Sequence, residues 1–243
     1  GIWFALLAAG VGGAMIWELS RMIAPARPSE ALQAGMLAAA AVLLARVLPP
    51  AMVVPLLGAA VIAGLVRLPA QRVMFAVAAA GILLASHGLI SFRDDHGMLW
   101  LVWLVLVVVV TDISGYFGGK AIGGRKFWPS VSPKKTWAGI VSGWIAAGIV
   151  GTVFAFLTTA GFDLVWITML VSFASQLGDI GESAVKRRTG VKDSSKLLPG
   201  HGGVWDRFDA LLGAALLMLL LAQIFPVPEI ARPGSPTIPA FGG

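Results

Sequence analysis

Long apolar runs, separated by short charged or proline-containing breaks, make up most of this chain. A membrane-spanning helix needs roughly 20 predominantly apolar residues, and the runs approach that length. Apolar and polar residues do not alternate within the runs, so the pattern disfavours membrane-spanning strands. It predicts an all-α, polytopic integral membrane bundle of about eight transmembrane helices, at residues 2–19, 31–48, 51–66, 73–91, 98–117, 137–158, 163–181 and 209–226.

Composition agrees with a membrane protein and excludes several other classes. The chain has 243 residues, of which 58% are hydrophobic and 12% are charged, and its mean hydropathy is +0.87. A soluble domain is about 45–50% apolar and about 25% charged, so this chain lacks the polar residues to cover a water-facing globule. A soluble enzyme, a disordered protein and a disulfide scaffold are therefore excluded. The absence of cysteine also excludes thiol chemistry.

The order of the runs divides the chain into three regions. Residues 1–96 are predicted to form an N-terminal four-helix membrane region, and 97–226 a C-terminal four-helix region that carries the chemistry. Residues 227–243, rich in proline and glycine, are predicted to form an irregular tail. The first residue is Gly1, inside an apolar run, so we expect one further N-terminal helix and nine helices in the intact protein.

Basic residues predict the orientation of the bundle. The formal net charge is +6, and 15 of the 18 lysines and arginines fall in the loops after spans one, three, five and seven. Cytoplasmic loops carry the excess of lysine and arginine, so these four loops are predicted to be cytoplasmic. In a membrane protein such a positive balance indicates cytoplasmic loops or anionic ligands rather than nucleic acid.

The few acidic and polar groups near the membrane gather at the same face. They lie at the cytoplasmic ends of spans five, seven and eight: Asp112, Asp179, Glu182, Ser183, Lys186, Asp206, Arg207 and Asp209. Carboxylate oxygens are the ligands that Mg²⁺ prefers, whereas lysine and arginine bind phosphate. A cation held between carboxylates and basic side chains is the general plan of phosphoryl or nucleotidyl transfer. Glycines at 118–119, 123–124 and 202–203 would let backbone N–H groups approach phosphates.

Taken singly, each of these groups has a simpler explanation. Loop lysines and arginines can serve only topology and lipid headgroup contact, and one intramembrane aspartate can be a structural partner of a basic residue. We expect Glu18, near the end of span one, to be structural and to pair with Arg21. Function is favoured because separate segments bring acids, bases and glycines to one membrane face.

The stretch from Ser183 to Asp209 resembles the signature of the phosphatidate cytidylyltransferase family, also called the CDP-diacylglycerol synthases. That signature runs S-x-hydrophobic-K-R, four residues, K-D, a short spacer, then H-G-G-hydrophobic-x-D-R-x-D, and every fixed position is met. The segments at 112–120 and 132–139 are also similar to the family, except that Ala138 stands where the family often has glutamate.

The resemblance implies a reaction, its cofactors and its assembly. CTP and phosphatidic acid would give CDP-diacylglycerol and pyrophosphate with Mg²⁺, with a second, monovalent cation such as K⁺ beside it, in a homodimer. Asp179 and Asp206 correspond to the family's metal-binding acids. Ser183 and Lys186 correspond to its substrate or phosphate contacts.

The predicted site combines this correspondence with the distribution of charge. The predicted catalytic residues are Asp179, Asp206, Lys186 and Arg207. The predicted substrate-binding residues are Ser183, Arg187, Lys192, His201, Gly202, Gly203, Lys134, Lys135 and Asp112, the last of which could instead pair with a lysine. Basic side chains would offset the repulsion between two polyanionic substrates. CTP is cytosolic and a lipid phosphate lies at headgroup depth, so we expect a bacterial inner-membrane protein whose site faces the cytoplasm.

Two other functions compete with this interpretation. A CTP-dependent lipid kinase of the dolichol- or phytol-kinase kind would move only the γ-phosphate, although the complete signature favours cytidylyl transfer. An ion-coupled transporter would also place aspartates within the membrane. Transporters often show repeated halves and broken helices at the midplane, whereas this chain shows no internal repeat and its charges lie at one face.

Overall fold

The computed structural model describes residues 1–68 and 70–224, so the tail predicted at 227–243 lies outside the described residues. Each predicted span corresponds to a helix within the described residues. Within the described ranges the elements are α1 (Ile2–Ile23), α2 (Pro28–Ala45), α3 (Pro50–Val66), α4 (Arg72–His96), α5 (Met98–Ile122), β1 (Lys126–Trp128), β2 (Ser132–Thr136), α6 (Trp137–Leu157), α7 (Asp163–Thr189) and α8 (Trp205–Ile224).

The helices form a membrane bundle, as predicted. Among the described residues, six helices (α1, α2, α4, α5, α6 and α7) are long and apolar enough to cross a bilayer, and α3 is a shorter apolar helix. Large apolar side chains cover the outside of the bundle; Trp3, Val73 and Phe156 are each more than 70% exposed. Water would disfavour such a surface, whereas lipid tails cover it at no cost. The chain is therefore an integral membrane protein.

Helix α7 extends well beyond the span predicted at 163–181. Hydropathy reports where lipid ends, but backbone hydrogen bonding continues the helix to Thr189. Gly190 then ends it in the left-handed region, with φ +74°, and the Val191 N–H donates to the Lys186 carbonyl at 3.0 Å. A left-handed glycine after the last turn is a common helix stop because it has no Cβ to clash. The extension places Glu182, Ser183 and Lys186 on a regular helix.

A short hairpin precedes α6, where the hydropathy pattern predicted no regular element. Strands β1 and β2 pair antiparallel, with an irregularity between Lys126 and Trp128. At three and five residues they are too short to show an alternating pattern. At the end of β2, the Thr136 hydroxyl accepts a hydrogen bond from the Gly139 N–H at 3.1 Å and so caps α6. The cap joins the hairpin directly to the start of α6.

Contacts between loops place the ends of the helices on two sides. On one side, Arg27 donates to the Arg67 carbonyl at 2.8 Å, and Gln71 donates to the Arg188 carbonyl at 3.3 Å. On the other side, Arg46 Nε lies 2.8 Å from an Asp94 oxygen. These contacts put the basic loops after α1, α3 and α7 at one end of the bundle, and the ion pair between Lys135 and Asp179 adds the loop after α5. The division at residues 96 and 97 stays a prediction, and α1 and α4 both pack against α8 in one shared core.

Candidate functional site

Three carboxylates meet where α7 and α8 cross at the basic end of the bundle. Asp179, Glu182 and Asp209 each offer one oxygen, and these oxygens all lie within 4.8 Å of one another. We call these three residues the open cluster. The helices come this close because glycines face each other at the crossing: a Cβ at Gly213 would lie 2.9 Å from the Cα of Gly178. Small residues let membrane helices approach at backbone distance.

Basic side chains neutralise the open cluster only in part. Lys135 Nζ lies 2.6 Å from Asp179 Oδ2, and Lys186 Nζ lies 2.6 Å from Glu182 Oε2. The carboxylate of Glu182 is almost completely buried, and its Oε1 has no hydrogen-bond partner among the described residues. A buried carboxylate oxygen without a partner is costly, and a cation bound there would remove that cost.

The donor set of the open cluster fits a hard divalent cation. Mg²⁺ binds oxygen ligands at about 2.0–2.1 Å, so two of its ligands lie at most about 4.2 Å apart. The oxygens of the open cluster all lie within 4.8 Å of one another, so at most small side-chain rotations would bring them to this spacing. Three carboxylates, with no sulfur or imidazole near them in the described part of the chain, select magnesium or calcium over zinc. The open cluster can therefore hold a metal ion.

Asp206 lies beside the open cluster but has a different environment. Its Oδ1 lies 2.6 Å from Lys186 Nζ. Its Oδ2 accepts the N–H groups of Ser194 and Gly203, at 2.9 and 2.7 Å, and faces the Ser194 hydroxyl at 2.9 Å. These contacts occupy both carboxylate oxygens. The role of Asp206 as a metal ligand stays a prediction, since in this structure the residue organises the loop between α7 and α8.

Glu18 reaches the same loop from α1, a contact that the sequence did not reveal. We expected Glu18 to pair with Arg21. Instead its carboxylate is fully buried and accepts four hydrogen bonds from the loop and from the start of α8. We call Glu18 and Asp206 the anchored carboxylates. No local spacing could reveal this contact, because its partners lie more than 170 residues along the chain.

A polar cavity of about 520 Å³ opens on one side of the open cluster. It lies between α5, the hairpin, α6 and α7, and three predicted site residues line it together with Asp179: Asp112, Lys134 and Lys135. Further residues that we did not predict also line it, among them Tyr116, Lys120, Lys126 and Gln176. The glycines of the 118–119 and 123–124 stretches contribute Gly119, Gly123 and Gly124, which leave backbone accessible in its wall.

An apolar cavity of about 540 Å³ opens on the other side of α7. It lies between α4, α7 and α8, and most of its lining is aliphatic. Glu182 and Asp209 form a polar part of its wall, and Arg188 also lines it. Asp179 faces the polar cavity and the other two carboxylates face the apolar one, so the open cluster separates an ion-lined space from a lipid-like one.

The remaining predicted residues surround the open cluster at varying distances. Ser183 Oγ donates to Asp179 at 3.4 Å, and the Arg207 guanidinium donates twice to the His201 carbonyl. Gly202, with φ +82°, turns the backbone of the loop before α8. Side chains that point to solvent at this end are Arg187, Lys192, His201 and Arg207. The structure therefore brings Ser183 and Lys186 into the carboxylate network and leaves these four at its rim.

Glu182 and Asp209 are site residues to which the sequence alone assigned no role. Both belong to the acidic groups noted near the cytoplasmic ends of the spans. A signal was present: Asp179 and Glu182, like Asp206 and Asp209, are three residues apart, which puts each pair on one helix face. Sequence spacing could not show that both acids of the α7 pair, but only Asp209 of the α8 pair, join the open cluster.

Fold and site together define a helical membrane protein with a metal-capable carboxylate cluster among basic residues at one face. The cytidylyltransferase family model matches residues 1–225, and the chain belongs to this family. The finding confirms the resemblance seen in the signature from Ser183 to Asp209.

Relatives named phosphatidate cytidylyltransferase match part of the chain. The protein from Brucella abortus (strain 2308) is 44% identical over 153 residues, which are 62% of this chain and 57% of that protein. The protein from Bacillus subtilis (strain 168) is 38% identical over 154 residues, 61% of this chain and 57% of that protein. One from Helicobacter pylori is 39% identical over 130 residues, 53% and 48% of the two chains. The chain thus spans about half the length of the curated relatives it matches.

Proposed function

We propose that this protein transfers the cytidylyl group of CTP to phosphatidic acid, giving CDP-diacylglycerol and pyrophosphate. The observation that carries the proposal is the position of the open cluster between a polar and an apolar cavity. The polar cavity would take the triphosphate of CTP, and the apolar cavity would take an acyl chain of the lipid. Membership of the cytidylyltransferase family and the names of the relatives support this choice of substrates.

The proposed chemistry needs charge neutralisation more than proton transfer. A phosphate oxygen of phosphatidic acid forms a bond to the α-phosphorus of CTP. The bond from that phosphorus to the oxygen bridging the α- and β-phosphorus breaks, and pyrophosphate leaves with the electron pair. The attacking oxygen is already anionic, so the protein's task is to hold two polyanions together in line. Lys134 and Lys135 line the polar cavity on the nucleotide side, and Lys186 lies at the junction.

Asp179, Glu182 and Asp209 would hold the Mg²⁺ ion, with Asp206 a further candidate from the sequence. Bound there, Mg²⁺ supplies positive charge against the phosphates of both substrates. A monovalent cation such as K⁺ beside it rests on the family resemblance. Lys135 and Lys186 now balance the carboxylates at 2.6 Å, and with substrate and metal bound they would turn to phosphate oxygens.

The transfer is tested with CTP carrying two different labels. Purified protein in phospholipid nanodiscs receives phosphatidic acid, a polyprenol, Mg²⁺ and CTP labelled either in cytidine or in the γ-phosphate. We expect cytidine label in the lipid and γ-label in pyrophosphate. Lipid labelled only from the γ-phosphate would instead establish a lipid kinase. Ion-coupled uptake by proteoliposomes without any CTP turnover would establish a transporter, and either result would overturn the proposal.

The site is proposed to face the cytoplasm of an inner membrane. Support comes from the basic odd-numbered loops, which lie at the end that carries the open cluster. Because the chain has no cysteine, single cysteines can report sidedness. Lys196→Cys is at the basic end and Val47→Cys is at the opposite end; both positions are exposed. In intact spheroplasts, a membrane-impermeant maleimide should label Val47→Cys alone. The reverse pattern would contradict the proposal.

A homodimer is also proposed, on the family resemblance. Light scattering of protein in detergent, corrected for bound detergent, should give twice the mass of one chain. A monomeric mass in both detergent and nanodiscs would contradict it.

A further inference from the structure

Glu18 has an unusual environment for an acidic residue in a membrane helix. It lies in the last turns of α1 and is completely buried. Its oxygens accept hydrogen bonds from the Ser194 and Ser195 hydroxyls, at 3.0 and 2.7 Å. They also accept the backbone N–H groups of Val204 and Trp205, both at 2.8 Å. All four donors belong to the segment that joins α7 to α8 or to the first residue of α8.

This environment is an N-terminal helix cap supplied from another helix. Trp205 is the first residue of α8, and the first N–H groups of a helix have no partner within it. A carboxylate at that position accepts these orphan donors and interacts favourably with the positive end of the helix. Glu18 therefore determines where α8 begins and how its first turn is oriented.

The first turn of α8 carries the residues that matter for the site. It includes Asp206, and Asp209 of the open cluster follows one turn later. Ser194 links the two anchored carboxylates directly: its hydroxyl lies 3.0 Å from a Glu18 oxygen and 2.9 Å from Asp206 Oδ2. Gly203 packs so closely on Glu18 that a Cβ there would clash with its carboxylate.

We propose that Glu18 is a positioning residue for the proposed cytidylyl transfer, acting through Ser194 and the first turn of α8 on Asp206 and Asp209. It touches neither cavity, so it contacts no substrate. Its role is to hold the α7–α8 segment so that Asp209 meets the two acids of α7. This inference rests on the proposed function.

Two serines provide a matched pair of variants. Ser194→Ala and Ser195→Ala each remove one hydrogen bond to Glu18, but only Ser194 also contacts Asp206. Outer-shell partners of metal-site residues change activity by about 10–100-fold when they are lost. We expect Ser194→Ala to lower kcat about tenfold with KM for CTP nearly unchanged, and Ser195→Ala to keep kcat within about threefold of wild type. If Glu18 were merely structural, kcat of Ser194→Ala and of Ser195→Ala would fall only in proportion to the thermal stability that each variant loses.

Glu18→Gln supplies the second measurement. Its amide keeps the size of the side chain but turns an NH₂ group toward donors, so we expect a loss of kcat of about 100-fold and faster amide hydrogen exchange over residues 194–206. The exchange measurement does not depend on activity. Wild-type protein that makes no CDP-diacylglycerol would overturn the proposed function. Active wild type with equal kcat in Ser194→Ala and Ser195→Ala, or with full kcat in Glu18→Gln, would overturn the inference.

Discussion

The anchored carboxylates and the open cluster lie at the same membrane face, yet their surroundings differ in kind. Glu18 and Asp206 accept hydrogen bonds from several backbone and side-chain donors each. The open cluster has few donors: Lys135 and Lys186 pair with two of its members, and Glu182 Oε1 has no hydrogen-bond partner in the described part of the chain. Carboxylates with all their donors in place stabilise the fold, whereas carboxylates that lack donors are available to a cation.

Lys186 connects the two groups. Its ammonium lies 2.6 Å from Glu182 of the open cluster and 2.6 Å from the anchored Asp206. If a metal ion were to bind Glu182, the lysine could stay with Asp206 and turn toward a phosphate. Asp206 would then keep the basic group in place without binding the metal itself. The difference between the two groups leads to five predictions.

Asp179→Asn should give the largest effect. Removing one ligand charge from the open cluster should lower turnover by about 10²–10³-fold, as loss of a group that stabilises transition-state charge does. Thermal stability should change little, because weaker repulsion among the three acids offsets the loss of the partly exposed ion pair with Lys135. Asp163→Asn, at the far end of the same helix, is the control and should stay active. Near-normal turnover of Asp179→Asn would contradict the metal assignment.

Asp206→Asn should act on stability. It removes the charge that faces Lys186 and turns an amide NH₂ group toward backbone donors, so we expect the free energy of unfolding to fall by about 3 kcal/mol. Chemical unfolding in micelles measures this. Asp94→Asn is the control at the opposite end of the bundle, where the ion pairs are more exposed and the loss should be about 1 kcal/mol or less. An unchanged stability of Asp206→Asn would remove the distinction between the two groups.

Magnesium should stabilise the protein through the open cluster alone. At about 100 times its dissociation constant, a bound ion adds about 2.7 kcal/mol to the free energy of unfolding. Thermal shift with added MgCl₂ should show this for wild type and for Asp206→Asn, and it should disappear in Glu182→Gln. If Asp206→Asn loses the shift as well, Asp206 is a metal ligand, as the sequence predicts, and it belongs with the open cluster.

Gly213→Ala should test the close approach that forms the open cluster. The new methyl group would lie 2.9 Å from Gly178 Cα, and overpacking of this kind costs about 1–3 kcal/mol. We expect lower stability and weaker Mg²⁺ binding by the thermal-shift assay. Gly181→Ala is the matched control, because a Cβ at that helical position meets no described atom within 4 Å. Equal Mg²⁺ binding in the two variants would show that the spacing between α7 and α8 does not affect the metal site.

Lys192→Ala should have the smallest effect. The side chain is exposed at the rim, so salt screens its interaction with CTP, and KM for CTP should rise by at most about fivefold. The effect should shrink further at high ionic strength, while kcat and Mg²⁺ binding stay unchanged. A large fall in kcat would show that Lys192 acts within the site rather than at its rim.

Much of the fold could be predicted because lipid acts on each helix separately. A run of apolar residues must form a helix to satisfy its backbone in the bilayer, so spans such as 98–117 and 137–158 follow from local composition. The hairpin at 126–136 could not be predicted, because its strands have only three and five residues. The end of α7 depends on a backbone hydrogen bond around Gly190, and a hydropathy pattern contains no information about such bonds.

The candidate site could be predicted in content but not in arrangement. The signature from Ser183 to Asp209 identified the family, and the placement of charge identified the membrane face. The contact between Glu18 and Ser194 joins residues that are 176 positions apart, and a periodic sequence pattern predicts only contacts between residues close together in the chain. The choice between Asp206 and Asp209 as partner of the α7 acids depends on the rotation of α8, which Glu18 and the Gly178–Gly213 contact set together.

The amino-acid sequence by itself determined that this protein lies in a membrane, where its helices are, which loops are basic and to which family it belongs. Each of these properties depends on composition or on residues close together in the chain. Only the tertiary structure decided which carboxylates are anchored and which are open. The reason is that hydrogen-bond satisfaction depends on donors from distant segments. Five acids of similar chemistry therefore have two kinds of surroundings at one membrane face: Glu18, Asp179, Glu182, Asp206 and Asp209.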